Sequence, residues 1–318
     1  MNISKKNIKP GIPKGVYPVM LTAFREDGSL DFQGVDHLTD YYLQSNVTGL
    51  FACAMSAEVN HLSDLEKTVL AEHIVQHVDY RVPIVAGALS AGSLIQQIEL
   101  VRRISGIGAD IVTVAVSQIA DKNEDDQVWL HNMDSFLQEI PDNIRLGLYE
   151  SPWPYRRLLS EETFRWVVQS ERFYFLKDTC SQIDIIRSRV KIRENSALSL
   201  FNANTQTLLA SLQAGADGFS GIGANYFPEL YVWLCGNFKE FPEMSCELQD
   251  FMTKCCEIME GKFYPVLAKE YLRQKGIHIT PFCRSKRIKL PVDAYESLKQ
   301  LRTEADKWLC KINTNSAL

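Results

Sequence analysis

Residues 173–180 read FYFLKDTC: four apolar or aromatic residues run without a break into Lys177. A continuous run of this kind, with no polar alternation, is the pattern of a strand covered on both faces. It ends on an ammonium, and lysine is among the residues least often fully buried. The same kind of run recurs before and after it. GVYPVMLTAF (15–24), TGLFACAM (48–55), VPIVAGAL (82–89), ADIVTVAV (109–116) and IRLGLYE (144–150) precede it, and LSLFNA (198–203) and ADGFSGIG (216–223) follow.

Stretches with helical spacing lie between these runs. In 31–45, Phe32, Val35, Leu38 and Tyr42 share one face. Residues 63–79 open on a capping box, Ser63 with Glu66, followed by Val69, Leu70 and Ile74. In 160–169, Ser160 precedes Glu161 and Glu162, acids that suit the first turn of a helix. Eight strands alternating with helices predict parallel βαβ units, and eight units before residue 226 is the count of an α/β (β/α)8 TIM barrel. A doubly wound sheet would need a switch point, and no GxGxxG follows the first run. The expected organisation is a barrel over 1–225 and a C-terminal helical extension over 226–318. The extension reads as helical throughout, with Val292, Tyr295, Leu298, Leu301 and Trp308 as the apolar positions of its last helix.

The chain has 318 residues, 46% of them hydrophobic, and a formal net charge of -5. That balance argues against a nucleic-acid footprint, which needs a basic face. No run of 18 apolar residues suggests a membrane span, and MNISKKNIKPGIPKG lacks the apolar region of a secretory signal. The eight cysteines are scattered, with Cys255–Cys256 the one adjacent pair and no CxxC. They read as reduced packing residues of a cytoplasmic protein. His73 and His77 share a helical face but lack the Glu of a zinc-protease motif, so they read as a solvated face, and no metal site is expected. The loop DKNEDDQ (121–127) reads as solvated, and GADGFSGIGAN (215–225), lacking a basic residue, as a turn that brings backbone close to substrate. PFCRSKRIKLP (281–291) reads as a loop against the barrel or an oligomer contact.

Barrel active sites form at the C-terminal strand ends. Here those ends are MSAE (55–58), VSQ (116–118), YESP (149–152), KDT (177–179), FNAN (201–204) and SGIGAN (220–225). A lysine in an apolar pocket loses pKa, and a neutral amine can form a Schiff base with a carbonyl. The other reading of Lys177 is a lysine that snorkels to water or pairs with Asp178. Tyr149 is either a proton relay or a packed phenol bonded to backbone. Ser56 is either a carboxylate ligand or a turn serine.

With these residues in place, the chain resembles the N-acetylneuraminate lyase and dihydrodipicolinate synthase superfamily, class I pyruvate-handling (β/α)8 enzymes. The resemblance runs from GVYPVMLTAF to GADGFSGIGANYFPELY. The family's Gly-x-x-Gly-Glu motif appears as AMSAE, ending at Glu58. Its Tyr-x-x-Pro motif appears as YESP, with Tyr149 and Pro152, and its lysine motif as KDT. The resemblance implies catalysis by Lys177, through a covalent imine with a 2-oxo acid, and by Tyr149 as proton shuttle. It implies substrate binding by Met55, Ser56 and Ser220, no metal or organic cofactor, and a homo-oligomer, tetramer or dimer. The function expected is a class I lyase or aldolase joining or separating pyruvate and an aldehyde. The alternatives are a dehydratase of a deoxy-2-oxo sugar acid by the same imine, a 4-hydroxy-tetrahydrodipicolinate synthase, or a regulatory ligand-binding barrel. The chain departs from the family where the second substrate is chosen. Pro154 stands where the synthases carry Arg, with Arg156 and Arg157 nearby. Gln118 and Ile119 replace a tyrosine pair, Met55 a relay hydroxyl and Ala57 a glycine. Thr205–Gln206 replaces the Asp–Glu pair of the sialic-acid lyases.

Overall fold

The computed structural model describes residues 11–90 and 92–315. The first ten residues, on which part of the reading of the N-terminus rests, and the last three lie outside them. Among the described residues eight strands run parallel: β1 (Gly15–Val16), β2 (Leu50–Ala52), β3 (Ile84–Gly87), β4 (Ile111–Ala115), β5 (Leu146–Tyr149), β6 (Phe173–Asp178), β7 (Ser199–Asn202) and β8 (Gly218–Phe219). Each pairs with its sequence neighbour from β2 to β8, and β8 pairs with β1. A parallel bridge between Val19 and Phe51 joins the first strand's continuation to the second and closes the ring. The fold is thus the expected (β/α)8 barrel. At the β1–β8 seam a Cβ on Gly218 would stand 1.8 Å from the Gly15 carbonyl oxygen, so the close approach of the two strands requires glycine.

The outer ring consists of α1 (Phe32–Gln44), α2 (Asp64–Val78), α3 (Leu94–Gly106), α4 (Asp126–Gln138), α5 (Glu161–Gln169), α6 (Ile183–Ile192), α7 (Leu208–Ala214) and α8 (Pro228–Asn237). The capping box of Ser63 and Glu66 forms, and Ser160 accepts from the Thr163 N–H. Val69, read into the buried face of α2, is exposed, because Leu70, Ile74 and Val78 already make the i, i+4 stripe. His73 and His77 do not face solvent alone: they bond to Asp36 and Asp40 of α1 and tie the two helices together.

The stretch 226–318, expected as an extension, supplies first the barrel's own eighth helix, α8, which lies on β1 and β8. It then gives α9 (Pro242–Met259), α10 (Val266–Gln274) and α11 (Val292–Asn315). It is not helical throughout: residues 277–291 form neither helix nor strand. Pro281 and Pro291 cannot continue a helix, and the segment is anchored to the barrel instead. Thr280 donates to the Phe24 carbonyl at 2.7 Å, and Arg284 to those of Gly28 and His61 at 2.7 and 2.8 Å. In α11, Leu298 and Leu301 are buried, whereas Val292 and Tyr295 are exposed.

The inside of the barrel below its C-terminal mouth is aromatic. Phe175 stacks on Phe201 at 4.6 Å and meets Phe51 edge-on at 5.6 Å, and Tyr17 packs against Phe201 at 4.8 Å. Side chains alternate along a strand, so Phe175 and Lys177 point the same way. The lysine therefore rises from an apolar floor.

Candidate active site

Tyr149 and Lys177 are direct partners in the β5–β6 ladder, so their shared position follows from strand register. The Lys177 side chain is confined, with 5% of the residue exposed, and its Nζ lies 4.3 Å from the centroid of the Tyr149 ring and 5.7 Å from that of Phe51. Burial disfavours the ammonium and lowers the Lys177 pKa to about 7, against the opposing pull of the Glu260 carboxylate. Burial pushes the Tyr149 phenol above its usual range, against a hydrogen bond with the Ser151 side chain. The Ser151 oxygen also accepts from the Trp153 N–H at 3.2 Å.

These groups open into a cavity of about 490 Å³. Its inner end is formed by Lys177, Tyr149, Met55, Ser56 and Tyr264, and its outer wall includes Arg156, Thr179, Ser181 and Asn204. Met55 and Ser56 open a single 3-10 turn, whose first N–H groups have no partner within the turn. Four of the five expected site residues thus meet in one cavity. Ser220 does not line it: its hydroxyl is fully buried and donates to the Tyr17 carbonyl at 2.9 Å, and the next two residues, Gly221 and Ile222, take the place at the wall. The alternation that points Phe219 and Gly221 one way turns Ser220 the other.

The residues that depart from the family pattern fall into two groups. Met55 and Arg156 face the cavity. Gln118 is turned away, bonding to Gln97 and the Ser90 carbonyl, and Thr205 is fully buried with its hydroxyl against Tyr231 at 3.0 Å. Neither Gln118 nor Pro154 is part of the cavity wall.

Arg189, Lys269 and Glu260, all close to the site, carry no mark in the sequence motifs. Behind Tyr149 and Lys177, on the outward side of the same strands, Arg189 of α6 bonds to Glu150 at 2.6 Å and to Asp178 at 2.5 Å, all three being buried. Glu150 also accepts the Thr179 N–H at 3.0 Å, and the Thr179 hydroxyl donates to the Glu150 carbonyl at 2.8 Å. This knot fastens the loop after Lys177 to the loop after Tyr149. Burial and the neighbouring Asp178 charge push the Glu150 carboxyl up, against Arg189. The sequence signals that a cation is needed, since two acids stand at the ends of strands buried on both faces, but not that Arg189 supplies it.

Glu58, the acid of the strand-2 motif, is also held in place. Its carboxylate pairs with the fully buried Lys269 at 2.7 Å and accepts the N–H and hydroxyl of Ser285, each at 2.7 Å. Burial would raise its pKa, but Lys269 and Ser285 together hold it below the usual carboxylate range. Glu260 ends α9. It is a solvent-accessible residue whose carboxyl turns in toward the buried Thr205 hydroxyl at 3.5 Å. Burial raises that carboxyl, while Thr205 and the Lys177 charge oppose the shift. Among the described residues no three His, Cys, Asp or Glu side chains come together as a metal would need, and no helix is long and apolar enough to cross a membrane.

The model of the Dihydrodipicolinate synthetase family matches residues 12–305. A probable 2-dehydro-3-deoxy-D-pentonate aldolase of Escherichia coli (strain K12) is 28% identical over 231 residues, 71% of this chain and 74% of its own length. A 4-hydroxy-tetrahydrodipicolinate synthase of Gluconacetobacter diazotrophicus is 27% identical over 218 residues, 68% of this chain and 71% of its own. Among solved structures, YagE, an E. coli K12 prophage protein of the dihydrodipicolinic acid synthase family crystallised in complex with pyruvate, has the same fold. It is 20% identical with a TM-score of 0.83, over 92% of this chain and 98% of that one.

Proposed function

The chain belongs to the dihydrodipicolinate synthetase family and is a carbon–carbon lyase, and from that premise we propose that it works through an imine on Lys177, separating or joining pyruvate and a hydroxylated aldehyde. One observation carries this reading: a buried lysine with a pKa of about 7 stands beside a neutral phenol at the inner end of a cavity. The Lys177 amine adds to the C2 carbonyl of the 2-oxo acid, and the carbinolamine loses its hydroxyl as water. The protonated imine left behind draws electrons from C3. A proton leaves C3 through Tyr149, and the resulting enamine attacks the aldehyde carbon, whose oxygen takes up a proton in turn. Water then hydrolyses the imine and frees the lysine. The same steps in reverse cleave the bond. A buried neutral phenol passes one proton on as it accepts another, which is what a relay requires. The Met55–Ser56 turn takes the carboxylate.

The substrate favoured is a 3-deoxy-2-oxo sugar acid. Arg156, Thr179, Ser181 and Asn204 make the outer wall polar, which suits hydroxyl groups, and the aldolase relative acts on a compound of that class by its name. A cytoplasmic setting and a homo-oligomer, tetramer or dimer, belong to the same proposal.

Incubation with pyruvate and borohydride tests it. The expected product is one reduced pyruvyl adduct on the peptide carrying Lys177, found by mass spectrometry. No adduct, or one on another lysine, overturns the reading. The pH dependence has a definite sign. Only the neutral amine attacks, so the trapping rate rises between about pH 6 and 8 with a midpoint near the lysine pKa of about 7. The Glu260 charge raises that pKa, so Glu260→Gln moves the midpoint to lower pH. A midpoint near the ordinary lysine value, or a shift upward in Glu260→Gln, contradicts the assignment.

A further inference from the structure

We infer that Lys269 and Ser285 hold the Met55–Ser56 turn in place through Glu58, so that the C-terminal stretch of the chain serves the carboxylate of the 2-oxo acid. The inference rests on the reading of that turn as the carboxylate site.

The 3-10 turn that begins at Met55 and Ser56 ends on Glu58. The Glu58 N–H closes it by donating to the Met55 carbonyl at 3.0 Å, and the Ala57 carbonyl accepts the Thr22 hydroxyl at 2.9 Å. Glu58 itself has φ 59° and ψ 36°, the left-handed region, which a residue with a Cβ enters only at a cost. Such a conformation persists where the surroundings over-determine it. Here the contacts of the Glu58 side chain do so. Released from them, the residue would relax toward the ordinary regions and take the Met55 carbonyl, and with it the turn, out of position.

Those contacts come from two places in the C-terminal stretch. Lys269 of α10 is fully buried and donates to Glu58 Oε1 at 2.7 Å and to the Phe282 carbonyl at 2.7 Å. Ser285 gives both its N–H and its hydroxyl to Glu58 Oε2, each at 2.7 Å. An ammonium and a backbone N–H only donate. The two terminal atoms of residue 58 thus each face a group that only donates, which a carboxylate satisfies and an amide cannot. The NH2 of an amide would stand against either Lys269 or the Ser285 N–H. Arg284 fastens the same loop again, donating to the His61 carbonyl at 2.8 Å and to Glu66 at 2.6 Å. Glu58, His61 and Ser285 all border the cavity, so the loop after β2 and the segment after α10 meet at its wall. Glu58, Lys269 and Ser285 act through the turn and are positioning residues.

The experiment follows borohydride trapping at Lys177 with two ketones, pyruvate and acetone. Acetone has no carboxylate and meets the lysine without using the turn. Glu58→Gln is expected to raise the pyruvate concentration that half-saturates trapping about tenfold, since the displaced turn loses about one hydrogen bond to a charged group. The rate at saturation and the rate with acetone should stay within about twofold, because the amine is untouched. Ser285→Ala removes one hydroxyl from a solvent-accessible residue and keeps the ion pair, so it tests the inference even where Glu58→Gln does not fold. It should raise the half-saturating pyruvate concentration about threefold, again without slowing acetone. A role of Glu58 in the fold alone would slow both ketones alike. Equal losses with pyruvate and acetone, or unchanged half-saturation by pyruvate in the folded variants, overturns the inference while Lys177 still traps pyruvate. A parental protein that forms no adduct with pyruvate overturns the functional reading and this inference with it.

Discussion

Lys177→Met is expected to abolish imine chemistry and, at neutral pH and below, to make the protein more stable. The first effect is read without knowing the aldehyde. Enamine formation exchanges the C3 hydrogens of pyruvate with solvent, so deuterium uptake followed by NMR reports the lysine step alone. Loss of the nucleophile should slow uptake at least about a thousandfold, about 4 kcal/mol at 1.36 kcal/mol per factor of ten. The second effect follows from linkage. The folded-state pKa of Lys177, about 7, lies below the ordinary value of 10.5, so the folded protein binds fewer protons between those limits than the unfolded chain does. Burying the ammonium therefore costs most below about pH 7, by a few kcal/mol at roughly 1.36 kcal/mol per unit, and the cost fades as pH rises toward 10.5. Methionine has no charge to desolvate and fits the apolar floor. The melting temperature of Lys177→Met should exceed that of the parent at pH 6, with the gap closing by pH 9 to about 10. A lower melting temperature at pH 6 would mean that the lysine serves the fold through an ion pair, and would remove the argument for a tuned nucleophile.

Arg189→Met carries the largest expected loss of stability. Arg189 neutralises two buried carboxylates, Glu150 and Asp178, at 2.6 and 2.5 Å. Removing the cation leaves two acids facing each other out of water, and breaking a buried ion pair from one side typically costs about 3–5 kcal/mol. At about 2–4 °C per kcal/mol for a chain of this order of size, the melting temperature should fall by roughly 6–20 °C. Without Arg189 the folded-state pKa of Glu150 lies further above its unfolded value. The penalty is thus absent below the unfolded carboxylate pKa and grows as pH rises through that range. The deficit should be smaller at pH 5 than at pH 8. Replacing Glu150 by Gln in the same chain removes one of the opposed charges and should recover part of the loss. Equal deficits at the two pH values would show that packing, not charge, explains the role of Arg189.

Much of this molecule was legible in its sequence because the relevant signals are periodic and local. Runs such as VPIVAGAL and FYFLKD identify strands buried on both faces, and the boxes at Ser63 and Ser160 mark where helices start. Strand order in a barrel follows chain order, so adjacent runs predict adjacent strands, and the ladder that pairs Tyr149 with Lys177 follows from the motifs at their ends. The same logic failed at Ser220, where an offset of one residue along the strand end decides between cavity and wall. At 277–291 the reading of a tail helical throughout failed, while the reading of 281–291 as a loop against the barrel holds, through contacts with Phe24, Gly28 and Glu58.

By itself, then, the sequence determined the barrel, the burial of the strand that carries Lys177, and the pairing of that lysine with Tyr149. The first two depend on periods of 2 or 3.6 residues that a short window displays, and the third on the motifs at two neighbouring strand ends, with the exact register left to the β5–β6 ladder. Tertiary structure alone decided what stands around the pair. Glu260 meets Thr205, Glu58 meets Lys269, and Glu150 meets Arg189. These partners are separated by 55, 211 and 39 positions in the chain. No local pattern encodes such a meeting, because hydrogen bonds and buried charges are satisfied by whatever group the completed packing brings within reach.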